Sequence, residues 1–106
     1  MNISLEYNGK QYVLEYSKQA VRTMENQGFS IDHIGDRPTT MIPILFRGAF
    51  AKNHRDVKTR TVDEIYDSLD KTDLIVTLAE MYMDTVNSVV EGNGDESKKV
   101  KWMKNE

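Results

Sequence analysis

Ile3-Ser4-Leu5-Glu6-Tyr7-Asn8-Gly9-Lys10-Gln11-Tyr12-Val13-Leu14-Glu15-Tyr16 alternates apolar and polar residues on either side of Asn8-Gly9. That dipeptide best tolerates positive φ at both central positions of a type I′ turn, so the stretch predicts a β-hairpin. A two-residue loop sets Leu5 opposite Tyr12 and Ile3 opposite Leu14, all on one face, with Ser4, Glu6 and Gln11 on the other. A lone hairpin is marginal in water, so its apolar face needs a cover of helices or another chain's sheet.

The rest of the chain supplies helices. Ser17 can cap a short helix carrying Ala20, Val21 and Met24, stopped by Gly28 and expected to lie across the hairpin. Phe29, Ile31 and Ile34 are expected to pin the following loop, which carries Gly35 and the Asp36-Arg37-Pro38 turn signal. From Thr40, the residues Ile42, Leu45, Phe46, Ala49 and Phe50 form an amphipathic stripe, with Pro43 read as lying in the first turn. Thr61 and Glu64 form a capping-box pattern ahead of Val62, Ile65, Tyr66 and Leu69. After Asp70 to Asp73, the stripe Ile75, Leu78, Ala79, Tyr82, Val86 and Val89 runs to Gly92-Asn93-Gly94. The expected fold is α+β and mostly helical, an N-terminal hairpin followed by about four helices. Residues 1–92 would form one domain, and 93–106 a flexible charged tail bearing Val100, Trp102 and Met103.

A chain of 106 residues with net charge −3 and no cysteine is the size of a single small domain and has neither disulfides nor thiolate metal ligands. No segment approaches the roughly 18 apolar residues of a membrane span, and Met1 leads into a strand instead of a secretory leader, so a cytoplasmic location is expected. The glycines never fall into a Walker or dinucleotide spacing. His33 and His54 have no second histidine at helical spacing and read as exposed structural residues. Asp63, Glu64, Asp67, Asp70 and Asp73 lack the order of a calcium loop and read as caps and a solvated helix face. No spacing pairs a nucleophile with a base. The chain is therefore read as non-enzymatic, with no catalytic residue, cofactor or metal.

Charge is unevenly placed. Residues 47–60 hold Arg47, Lys52, Arg55, Lys58 and Arg60 against Asp56, a net +4, whereas residues 61–91 hold Lys71 against eight carboxylates, a net −7. Opposed poles suit steered, head-to-tail association of copies; the alternative is neutralisation within one monomer. A helix-turn-helix drawn between Asp63 and Tyr82 would present Asp73, Glu80 and Asp84 to phosphates, so no nucleic-acid partner is expected.

Several stretches together resemble a family of small phage tail assembly chaperones of long-tailed phages and prophages of Gram-positive bacteria. They are Leu5-Glu6-Tyr7-Asn8-Gly9-Lys10 with Tyr12 and Leu14, Met24-Glu25-Asn26-Gln27-Gly28-Phe29, Thr40-Met41-Ile42-Pro43 with Leu45-Phe46-Arg47-Gly48-Ala49-Phe50, and Asp63-Glu64-Ile65-Tyr66. The resemblance implies a non-enzymatic protein that coats the tape measure protein in the host cytoplasm and is absent from the virion. It also implies, in some members, a longer form that recruits the tail tube protein. The stripes and charge blocks nominate Phe46, Phe50, Tyr82 and Trp102 for partner contact, and Arg47, Arg55, Lys58, Asp67 and Asp70 for self-association into a homo-oligomer. Met24, Met41, Met81 and Met83 can offer adaptable contacts, or fill the core. The competing reading is a phage or prophage adaptor that binds a host factor or nucleic acid.

Overall fold

The computed structural model describes residues 1–91 and 103–105. Strand β1 (Ile3–Tyr7) pairs antiparallel with β2 (Lys10–Leu14) in the expected register, Ile3 facing Leu14 and Leu5 facing Tyr12. Asn8 and Gly9 take φ values of 51° and 79°, both positive as a type I′ turn demands. Four helices follow: α1 (Lys18–Asn26), α2 (Pro38–Gly48), α3 (Thr59–Ser68) and α4 (Leu74–Glu91). The fold is α+β, as the alternation and the stripes predict. Of the expected tail, Trp102 and all but residues 103–105 lie outside the described residues.

Helix α1 begins where Ser17 Oγ accepts from the Ala20 N–H at 3.0 Å. It ends in a Schellman motif: the Phe29 N–H bonds to the Met24 carbonyl and the Gly28 N–H to the Glu25 carbonyl, both at 3.0 Å. Gly28 sits at φ +92°, where a Cβ is strained, and Phe29 folds back beside Met24 in the core. Helix α1 packs on α2 and α4.

The hairpin is instead docked by the segment that follows α2, which corrects the expectation that α1 crosses it. The Glu15 N–H bonds to the Ala49 carbonyl at 2.9 Å, and Tyr12 meets Phe50 and His54 edge-on with ring centroids 5.8 and 5.0 Å away. In this hairpin register the Val13 backbone groups point away from β1. The Val13 N–H is taken by His54 Nε2 at 2.9 Å and its carbonyl by Asn53 Nδ2 at 3.2 Å. His54 is thus half-buried and structural, and its Nε2 must carry the lone pair. Tyr16, also buried, donates its hydroxyl to the Leu45 carbonyl.

Two helix starts differ from the pattern. Helix α2 begins at Pro38, whose missing N–H costs nothing at the first helical position, so Pro43 lies inside the helix and not in its first turn. Helix α3 begins at Thr59, two residues before Thr61, and no side chain caps it; Glu64 instead faces Arg60 one turn back at 3.4 Å. Between α3 and α4, Asp70 Oδ1 accepts from the Thr72 N–H at 2.9 Å and Asp73 turns through φ 62°.

The core gathers Leu14 from the hairpin, Met24 from α1, Leu45 and Phe46 from α2, Ile65 from α3 and Leu78 from α4. Each such side chain contributes roughly 1.5–3 kcal/mol when fully buried. No helix among the described residues is long and apolar enough to cross a membrane.

Candidate functional site

Helix α4 serves the core with one face: Leu78, Met81 and Tyr82 are buried, with Ile75 and Val86 packed beside them. On the other side, Val76, Met83 and Val90 are exposed by 59, 38 and 80%. They stand seven residues apart, close to two turns each, and so form a single row. Glu80 and Asn87 fall along one edge of that row and Asp84 just beyond, all exposed. Val89 lies on the line of the core face, yet it is 57% exposed, because α4 outruns the residues that cover its earlier turns. Four of the six large apolar side chains that the described residues expose are on this helix, so the apolar surface is concentrated and not scattered.

The residues nominated for partner contact behave otherwise. Phe46, Phe50 and Tyr82 expose 1, 2 and 4% of their surface and belong to the core. Phe46 stacks edge-on against Phe50 and Tyr66, and Tyr82 against Phe29 and Tyr16, leaving no area for a partner in this fold. Met24, Met41 and Met81 are core-filling, whereas Met83 is on the surface. Trp102 lies outside the described residues.

The charge poles are partly joined within one chain. Arg47 grips Asp63 through two bonds, Nε to Oδ1 at 3.1 Å and Nη2 to Oδ2 at 2.9 Å, tying α2 to α3. Lys52 pairs with Glu15 at 2.9 Å, across the hairpin seam. Lys52, followed by Asn53, hydrogen-bonds the Glu15 carboxylate and holds it below its usual range. Arg55, Lys58, Asp67 and Asp70 are exposed and take part in none of the described ion pairs. Asp70 is spent locally, its carboxyl lowered first by the Thr72 N–H. Arg47, Lys52, His54 and Arg55 border an open groove of about 1030 Å³ beside α1, with no carboxylate in its lining. A second groove of about 530 Å³ between α2 and α3 is floored by Ile42, Pro43, Phe46 and Tyr66 and edged by Asp67.

Burial pushes the Tyr16 phenol far above its ordinary range, and Tyr82 is raised for the same reason, with Glu25 adding to it. Neither is a poised base. Among the described residues no three His, Asp or Glu side chains converge as metal ligands. What the surface offers is contact: an apolar row on a helix of about five turns and two grooves.

Residues 1–105 match the sequence profile of DUF5055, a domain of unknown function. The chain belongs to the DUF5055 family. No curated protein and no solved structure matches it. In this DUF5055 chain the row on α4 lies outside the predicted stripe, although the seven-residue spacing of Val76, Met83 and Val90 is present in the sequence. The 3.6-residue period of the core face is the stronger signal, and it hides a second row on the opposite side.

Proposed function

We propose that this DUF5055 protein is a non-enzymatic tail assembly chaperone of long-tailed phages or prophages, binding and coating the tape measure protein while the tail is built. The observation that carries this reading is the exposed apolar row Val76-Met83-Val90, a surface suited to another helix. The resemblance of the sequence to small tail assembly chaperones points to a long helical partner. Coating requires several copies per partner chain, and Arg55, Lys58 and Asp67, exposed and in none of the described ion pairs, are available for contacts between copies. In this role the protein works in the host cytoplasm and leaves before the virion matures. A longer form would bring in the tail tube protein.

The test is co-expression with the long helical protein encoded among neighbouring tail genes, then size exclusion with light scattering. Several copies per partner, with the partner soluble only in their presence, is the expected result. A one-to-one complex would favour the adaptor reading, and a lone monomer would refute coating. Replacing Arg55 and Lys58 by Glu should lower the number of copies at low salt, and an unchanged mass would exclude these two residues from self-association.

A further inference from the structure

We infer that the outward face of α4 docks a single partner helix that is basic and repeats an apolar residue every seven positions. This names the chemistry of the partner in the function proposed above and rests on that reading. Val76 to Val90 spans about 21 Å along the axis, the length of two heptads. Three small or flexible apolar side chains in a row leave shallow holes between them, into which apolar knobs of a second helix fit at a shallow crossing angle. Val76 and Val90 are short enough for close approach, and Met83, midway between them, adapts to whatever knob it meets.

Charge decides which helix fits. Helix α4 carries Glu80, Asp84 and Glu91 and neither Lys nor Arg, and Asp73 immediately precedes it. Glu80 and Asp84 enter none of the described ion pairs. Lys71, the nearest cation in sequence, sits over the Tyr66 ring at 4.6 Å. A partner with Lys or Arg flanking its apolar repeat gains from both carboxylates, and one with acidic flanks is repelled. The same repulsion disfavours the α4 of a second copy, which would set Glu80 and Asp84 against their own kind. Asn87, at the edge of the row, adds a polar position that penalises a slipped register.

The full chain should be titrated into two labelled helical peptides of about four heptads that share one apolar repeat, the first flanked by Lys and the second by Glu. Fluorescence anisotropy is the readout, at low and high salt. The Lys peptide should bind, and more weakly as salt rises. The Glu80→Lys, Asp84→Lys double variant should reverse the preference between the peptides. Met83→Glu should weaken Lys-peptide binding by at least about tenfold, with far-UV circular dichroism confirming that both variants are folded. Equal binding of the two peptides, no binding of the Lys peptide, or binding that survives Met83→Glu would overturn the inference. A tape measure protein still coated by the Met83→Glu variant would also overturn it, while leaving the coating function in place.

Discussion

Gly48→Ala is the substitution whose sign separates tertiary packing from helix propensity. Gly48 closes α2, and a Cβ built there would stand 2.4 Å from Met24 Sδ, 2.8 Å from Cγ and 3.3 Å from Cε. Replacing a helical glycine by alanine ordinarily stabilises by about 0.5–1 kcal/mol. Against that, forcing a methyl into a filled core costs about 1–3 kcal/mol. Met24 is fully buried, and its close atom Cγ is held near the backbone, so turning the end of the side chain cannot clear the way. The net expectation is a loss of about 1–2 kcal/mol. Urea unfolding followed by circular dichroism should show a lower midpoint with an unchanged slope. The cause is checked by a cycle: Met24→Ala alone opens a cavity and costs about 2–5 kcal/mol, and the new methyl should partly refill it. The double variant should therefore lose less than the two singles combined. A more stable Gly48→Ala protein, or strict additivity in the cycle, would refute the close approach of α1 and α2 at this point.

Gly28→Ala should destabilise by about 1–2 kcal/mol, since alanine must adopt the positive φ that closes the Schellman motif; Gly28→Asn should cost less in the same urea assay. Tyr16→Phe should cost about 1 kcal/mol by removing the bond to the Leu45 carbonyl. The Tyr16 phenol is raised above its ordinary 10.0, so the stability it contributes is intact below that pH and is lost above it, as the unfolded chain ionises first. Alkaline melts should consequently fall less steeply in Tyr16→Phe. His54→Ala should leave the Val13 N–H without its acceptor and cost about 1–2 kcal/mol, with hydrogen exchange at that amide rising more than at Leu14.

What the sequence disclosed divides by range. The Asn8-Gly9 turn fixes its own register, so the hairpin was readable from fourteen consecutive residues. Ser17 and Gly28 act within one turn of the helix they bound, and were readable for the same reason. Val13 with His54, Glu15 with Ala49, and Arg47 with Asp63 are joined only by the tertiary fold, and no local pattern encodes them. The aromatic residues show the deeper ambiguity. Phe46 on α2 and Phe50 just past its end mark one apolar stripe, but a stripe does not say whether its cover comes from the same chain or from another. Here the chain provides it, through Tyr12, Tyr66 and the core around Leu45. The row on α4 is the converse: apolar residues without a core to join, legible only as a second period on a helix already explained.

The clasp on β2 also limits how copies of the sheet can add to one another. Both outward-pointing backbone groups of Val13 are already taken by His54 and Asn53, and the Glu15 N–H by the Ala49 carbonyl, so the outer side of β2 is clasped toward its C-terminal end. Among the described residues no further backbone hydrogen bond occupies the outer side of β1 at Ser4 and Glu6. Two molecules can thus join β1 to β1 and make a four-stranded sheet, but that sheet ends in two β2 strands that cannot recruit a third. Edge-to-edge strand addition through β1 would therefore stop at two molecules.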